Sequence, residues 1–280
     1  MTSQCRFKLI AADIDGTLLD DDKNFPERNR EALLRAAEMG VTIVLASGRM
    51  TSCISPWYDL LGIDGPIIAY NGARVVGPAA EGRKALFHQP LQAEYADAVI
   101  EFHESSGVHL NYYLDDKLYA KDNDDMRQWV EVYSQRTGAE VNYVDSLREF
   151  RGNEPTKLIL ISAPDRRNEL YDQFLERFGS DVSLTKTDPE YLEFLDSATS
   201  KATGLKALCA SLGISLDEVI AFGDGDNDAP MLAVAGLGVA MPGSSEAALS
   251  AAGHVTQDDN NSGGVAEAVE RFIFSGPPSR

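Results

Sequence analysis

Cysteine is scarce and scattered. Cys5, Cys53 and Cys209 lie far apart and form no CxxC pair, which argues against a disulfide framework and a zinc knuckle. The four histidines, His88, His103, His109 and His254, show no ligand spacing. Neither a histidine metal site nor a histidine-based catalytic dyad is therefore expected. Positive charge is in short supply, with 25 Lys and Arg against 44 Asp and Glu and a net charge of −19. A surface of that sign repels nucleic acid and anionic lipid, and neither is expected as a partner. No stretch approaches the ~20 apolar residues of a membrane helix. The opening residues MTSQCRFKLI lack the apolar centre of a secretory leader, so a cytoplasmic protein is expected. There is no internal repeat and no low-complexity run.

What remains is ordinary for a folded chain. Hydrophobic residues make up 44% and charged residues 25% of 280, enough for two domains or one large α/β domain with a sizeable core. If the substrate is anionic, a bound cation or a buried lysine must overcome the acidic field locally.

The two ends of the chain alternate between buried strands and helices. Residues 7–12 form a short apolar run ending in Asp13, and 41–46 (VTIVLA) and 66–69 are further buried strands. Helical spacing covers 26–39 and 51–61, each followed by glycine, and Asn71-Gly72 marks a turn. Near the other end, helices are expected at 199–212, 227–234, 244–251 (capped by Ser244) and about 264–272, with strands at 218–222 and 236–240. The last five residues, GPPSR, are expected to be disordered. Cys5 and Cys209 read as small buried hydrophobes. Strand–helix alternation implies a Rossmann-like parallel sheet covered on both faces. The middle differs: alternating segments at 108–113, 117–120 and 141–144, an apolar run at 157–161 and helices at about 93–105 and 165–178. That pattern predicts an inserted α+β domain over 84–190, with a mostly antiparallel sheet, between core segments 1–83 and 191–280.

Four constellations carry chemistry. Asp13-Ile14-Asp15-Gly16-Thr17 stands at the carboxyl end of the first strand, where extended spacing aims both carboxylates one way and parallel sheets bind ligands. Close carboxylates invite a cation or a shared proton, and Gly16 lets backbone N–H groups approach an anion. Ser47-Gly48-Arg49 follows the second strand with a hydroxyl, an amide and a guanidinium suited to phosphate oxygens. Lys201 sits near a helix start, where a cation opposes the helix dipole. Gly223-Asp224-Gly225-Asp226-Asn227-Asp228 follows a late strand with the oxygens of a hard-cation site, without EF-hand spacing. Taken singly, each has a plainer reading as a polar turn or a solvated residue.

Together, in order and spacing over nearly the whole chain, DxDGTLL, SGR, the lysine and GDGDND resemble the haloacid dehalogenase superfamily, specifically the Cof-type phosphatases with a large inserted cap. The resemblance implies a phosphoric monoester hydrolase acting on a small phosphate ester, most often a sugar phosphate. It implies Asp13 as nucleophile and Asp15 as general acid and base. Ser47, Gly48, Arg49, Asn71 and Asn227 are implied as phosphate or substrate contacts, and Lys201 as the charge-balancing lysine. Mg2+ would be held by Asp13, the Asp15 carbonyl and Asp224, with Asp228 acting through water or positioning Lys201. The cap would close over the site and read the leaving group with residues such as Tyr112, Tyr113, Lys157, Tyr191 and Glu193. A monomer or weak homodimer is expected. Ala202 after the lysine and Pro230 after the acidic loop depart from the family's usual residues. Two other readings fit the same residues: a hexose-phosphate mutase of this superfamily, and a non-catalytic metal-binding regulatory protein.

Overall fold

The computed structural model describes residues 6–122 and 127–275. The readings of Cys5 and of the last five residues lie outside the described residues. The chain divides into two compact units, Met1–Phe87 with Ser200–Arg280, and His88–Thr199. In chain order the first unit opens with β1 (Leu9–Asp13), α1 (Glu27–Glu38), β2 (Thr42–Ala46), α2 (Thr51–Leu61), β3 (Ile67–Ala69), β4 (Arg74–Val76) and β5 (Ala85–His88). The second holds α3 (Ala93–Ser106), β6 (His109–Leu114), β7 (Lys117–Lys121), α4 (Arg127–Thr137), β8 (Val141–Val144), β9 (Lys157–Ile161), α5 (Pro164–Phe178), β10 (Val182–Asp188) and β11 (Tyr191–Asp196). The first unit resumes with α6 (Lys201–Leu212), β12 (Val219–Phe222), α7 (Ala229–Val234), β13 (Leu237–Ala240), α8 (Glu246–Ala251), β14 (His254–Val255) and α9 (Gly264–Val269).

The first sheet runs β14-β13-β12-β1-β2-β3-β4-β5. Every pair from β14 to β3 is parallel, and β4 returns antiparallel beside β3. The central strands read LIAAD, TIVLA and VIAF because both of their faces are covered, which removes any polar–apolar alternation. Leu9, Ala11, Val44, Ala46, Ile68, Val219 and Ala221 pack with Leu205, Leu208 and Cys209 of α6 and Met231 and Leu232 of α7. Cys209 is thus a buried hydrophobe, as expected. Ser245, not Ser244, caps α8: its Oγ accepts from the Ala248 N–H at 3.2 Å, while Ser244 Oγ accepts from the Met241 N–H at 3.1 Å. The helix begins at Glu246, so the capping position falls one residue later.

The second sheet runs β10-β11-β9-β6-β7-β8, antiparallel except for the parallel pair β7–β8. The β6–β7 hairpin turns on Asp115 and Asp116, both at positive φ, the backbone a two-residue hairpin needs. One sheet face packs α3 and α5 through Val99, Ile100, Leu170 and Phe174 against Leu110, Leu158, Leu160, Leu192 and Phe194.

The division falls after residues 87 and 199, not after 83 and 190. Strand β5 joins the first sheet, and β11 lies between β10 and β9 in the second. Strand β11 is buried along its whole length, so it carries no alternation to mark it as part of the inserted unit.

Candidate active site

Parallel pairing sets the strand ends side by side. Asp13 pairs with Ala46, Ala12 with Phe222, and Ala46 with Ile68. Each of these strands runs directly into a segment singled out above: 14–19 after β1, 47–50 after β2, 70–72 after β3 and 223–228 after β12. The site is therefore built at the carboxyl edge of the sheet, where unpaired strand ends leave backbone groups facing outward.

Strand β1 stops at Asp13. Asp15 lies beyond it in a turn that Gly16 completes at φ 80°, closed by the Leu19 N–H donating to the Ile14 carbonyl at 3.0 Å. A Cβ on Gly16 would strike the Asp224 carboxylate, so only glycine lets the two loops meet here. The two carboxylates of the DxD motif consequently go to different partners. The equal aim expected from extended spacing does not hold, because strand β1 ends at Asp13 and the chain turns through residues 14–18.

Asp13 is 7% exposed and accepts from Lys201 Nζ at 2.5 Å. The same ammonium donates to Asp228 Oδ1 at 2.5 Å, and Lys201 is wholly buried. Far from being a solvated residue at a helix start, Lys201 is the first residue of α6 and is aimed inward. Ser200 caps the helix, its Oγ accepting from the Thr203 N–H at 3.1 Å. Gly72, at φ 99°, lies hard against the Ser200 carbonyl, where a Cβ would collide. Asp228 Oδ2 accepts from the backbone N–H groups of Asp224 and Gly225 at 3.2 and 3.0 Å. Both oxygens of Asp228 are thus engaged in holding Lys201 and the acidic loop. Asp224 Oδ1 accepts from Thr17 Oγ1 at 2.7 Å.

Oxygens of Asp13, Asp224 and Asp228 lie within 4.8 Å of one another. Asp13 and Asp228 share one ammonium, and Asp224 adds a third carboxylate beside them. Burial, and then the neighbouring Asp228 charge, hold the Asp13 carboxyl above the ordinary carboxylate range despite Lys201. Burial likewise pushes Asp224 up against the hydroxyl of Thr17. For Lys201, burial disfavours the charge, but Asp13 and Asp228 outweigh it and keep the amine protonated.

Asp15 is held apart from this cluster. Arg49 donates to it twice, Nη2 to Oδ1 at 2.7 Å and Nε to Oδ2 at 3.0 Å, and Lys23 Nζ donates to Oδ1 at 3.0 Å. Burial raises the Asp15 carboxyl, yet the two cations win and hold it below its ordinary value. Arg49 therefore sits on Asp15. Ser47 Oγ accepts from the Arg49 N–H at 3.2 Å, and Gly48 lies against the Asn71 side chain, close enough that a Cβ would press on it. Asn71, in the left-handed region at φ 55°, accepts from Asn227 Nδ2 at 3.0 Å. The strand ends thus bring together all ten residues expected from the sequence. Two partners went unassigned: Thr17, whose signal is its place in DGT directly after the strand, and Lys23, which carries no signal beyond its charge. Tyr112, Tyr113, Lys157, Tyr191 and Glu193 all lie in strands of the second unit and are buried.

A family model described as haloacid dehalogenase-like hydrolase matches residues 10–269. The chain is 30% identical over 276 residues to the 5-amino-6-(5-phospho-D-ribitylamino)uracil phosphatase of Bacillus subtilis, covering 95% of this chain and 97% of that protein. It resembles the structure of a haloacid dehalogenase-like hydrolase from Bacteroides thetaiotaomicron with a TM-score of 0.85 and 28% identity, over 95% of this chain and 100% of that one. A haloacid dehalogenase subclass IIB sugar phosphatase superposes with a TM-score of 0.77 and 25% identity, over 95% and 98% of the two chains.

Proposed function

Because the chain belongs to the haloacid dehalogenase-like hydrolases, we propose that it is a Mg2+-dependent phosphatase that hydrolyses a small phosphorylated metabolite, a sugar or sugar-alcohol phosphate, through an aspartyl-phosphate on Asp13. The observation that carries this reading is the buried Lys201 shared between Asp13 and Asp228, with Asp224 beside them. A strand-end carboxylate backed by a fixed ammonium suits nucleophilic attack on phosphorus. The surplus of negative charge and the all-oxygen donor set suit Mg2+. Asp13, Asp224 and the Asp15 backbone carbonyl are the groups that would hold it, with Asp228 anchoring Lys201 and the loop. When bound there, Mg2+ neutralises charge on the phosphate.

In the first half-reaction an Asp13 oxygen bonds to phosphorus, the ester P–O bond breaks, and the leaving oxygen takes a proton from Asp15. In the second, water attacks the acyl phosphate, giving its proton to Asp15, and inorganic phosphate leaves. The ionised, Arg49-clamped Asp15 described above is set for the second half. An arriving phosphate dianion competes with Asp15 for Arg49 and thereby frees Asp15 to carry the proton that the first half requires. Ser47 and Gly48 bind phosphate oxygens, and Asn71 and Asn227 flank them. We assign leaving-group selection to the second unit. The names of similar phosphatases acting on a ribityl phosphate and on sugar phosphates support the substrate class.

The test is phosphate release from a panel of sugar, sugar-alcohol and cofactor phosphates with Mg2+ or EDTA, for the wild type and Asp13→Asn. Release that needs Mg2+ and vanishes in Asp13→Asn is expected. Wild-type turnover by Asp13→Asn would overturn the aspartyl-phosphate mechanism, and Mg2+-independent release would overturn the metal assignment.

A further inference from the structure

The segment after the DxDGT turn is fastened from the far end of the chain. Asn260 Nδ2 donates to the Leu19 carbonyl at 3.0 Å and to Asp21 Oδ1 at 3.2 Å. Asn261 Oδ1 accepts from the Asp21 N–H at 3.0 Å, and Asn261 Nδ2 donates to Asp21 Oδ2 at 3.3 Å. These asparagines belong to a loop that is itself anchored. The N–H groups of Gln257 and Asp258 both donate to Glu267 Oε2 of α9, at 2.8 and 2.9 Å, and the Gly264 N–H donates to the Asp259 carbonyl at 2.8 Å. Next to the clamped residues the chain closes a tight turn. The Asp20 N–H donates to the Asn24 carbonyl at 2.9 Å, the Lys23 N–H to the Asp20 carbonyl at 3.0 Å, and the Asn24 N–H to Asp20 Oδ1 at 2.7 Å. Within that turn Lys23 stands at φ 63°, and its ammonium reaches Asp15.

Exposed polar contacts of this kind contribute little stability singly. What several convergent ones fix is position. The left-handed conformation at residue 23 suits glycine and strains a lysine. What lysine adds over glycine is the ammonium on Asp15. Arg49 holds Asp15 as well, but it lies in the segment that carries Ser47 and Gly48, and a phosphate dianion competes for it. Lys23 belongs to a separately anchored loop. With Arg49 drawn to phosphate, Lys23 is the contact left to keep the Asp15 carboxyl aimed while it carries a proton, and proton transfer demands that aim.

We propose that Asn260 and Asn261 are positioning residues for the reaction: they anchor the 19–24 loop so that Lys23 holds Asp15 in place during turnover. The proposal rests on the phosphatase reading. Its test is steady-state hydrolysis of p-nitrophenyl phosphate with Mg2+ by five forms of the full chain: the wild type, Lys23→Met, Lys23→Arg, the pair Asn260→Ala with Asn261→Ala, and that pair combined with Lys23→Met. Far-UV circular dichroism would check folding. Lys23→Met and the asparagine pair are each expected to lower kcat by about fivefold, the measure of one partly exposed ion pair, with KM within about twofold. Lys23→Arg should recover kcat to within about twofold of the wild type. The triple variant should be no slower than Lys23→Met, because the clamp acts through the lysine. A clamp that merely supports the fold would slow Lys23→Met by the same factor as the wild type, and that result would overturn the proposal. An unchanged kcat in the asparagine pair, or no recovery in Lys23→Arg, would overturn it too. If the pair fails to fold, Asn261→Ala alone, which keeps both Asn260 contacts, carries the same comparison. A wild type that releases phosphate while the variants match it refutes the positioning role alone. A wild type that releases none from any ester refutes the phosphatase reading and the role with it.

Discussion

Replacing Lys201 by methionine, a side chain of similar length, removes the ammonium between Asp13 and Asp228 while keeping most of the packing. Each contact is 2.5 Å long. At an effective dielectric of about 20, that separation corresponds to roughly 7 kcal/mol of attraction per contact before desolvation is subtracted. Much of it offsets the cost of burying the three charges, so the net worth of the triad is small. Taking away only the cation is different, because two carboxylates then stay buried without compensation. The expected loss is about 3–5 kcal/mol at pH 7 in EDTA, a large share of a typical domain's stability. The unpaired carboxyls then titrate above their unfolded value. Their stabilising contribution is present below about pH 4 and lost as pH rises toward neutrality, so the deficit shrinks on acidification. Urea unfolding followed by Trp57 fluorescence in a Trp129→Phe background would read the first unit alone. Adding Asp228→Asn to Lys201→Met is expected to restore about 1–3 kcal/mol, since it removes one of the stranded charges. A Lys201→Met protein whose urea midpoint matches the wild type, or a double variant no more stable than the single one, would refute the charge argument. Activity should fall by about 10²–10³-fold or more, the effect of losing one fixed electrostatic group at a reacting centre.

Three further outcomes follow from specific contacts. The Tyr58 hydroxyl lies 2.6 Å from the Pro66 carbonyl and accepts from the Leu45 N–H at 3.1 Å, tying α2 to β2 and the start of β3. Tyr58→Phe should cost about 1–3 kcal/mol, seen as a lower urea midpoint at unchanged slope, and an unchanged midpoint would show the hydroxyl to be dispensable. Gly72→Ala combines a positive-φ position with a collision against Ser200, and should lose about 2–4 kcal/mol together with most of the activity; wild-type activity would show that α6 tolerates displacement. Burial pulls His109 from an ordinary 6.5 down to about 4. Its contribution is fully present above pH 6.5 and is lost as pH falls toward 4, about 3 kcal/mol in all. Trp129 fluorescence should therefore show acid destabilisation of the second unit over that range, and His109→Gln should flatten it. An equal slope in the variant would exclude His109 as the source.

Legibility along the chain followed burial and motif. The central strands of the first sheet announced themselves as continuous apolar runs because both of their faces are covered. Helix α4 escaped notice: among its residues only Val130 and Tyr133 are buried, too few to print a helical stripe on the sequence. Strand β10 is mostly exposed and β11 wholly buried, so neither alternates, and the sequence pattern puts the end of the inserted unit at 190 where the fold has it at Thr199. No helix among the described residues is long and apolar enough to cross a membrane, in line with the absence of long apolar runs.

Residue order alone determined which groups meet at the site. Short apolar strands ending in DxDGT, SGR, NG and GDGDND, alternating with helices, imply a parallel sheet, and parallel strands deliver their carboxyl ends to one edge. What each group does on arrival was decided by the tertiary structure. The strand stops at Asp13, so Asp15 turns away to Arg49 and Lys23 instead of sharing a cation face. Ser200 and Gly72 seat the first turn of α6 so that a lysine which local rules would leave in water is wholly buried between two carboxylates. Local spacing encodes direction within one strand or turn. Partnership, burial and the charge they impose depend on neighbours that only the folded chain supplies.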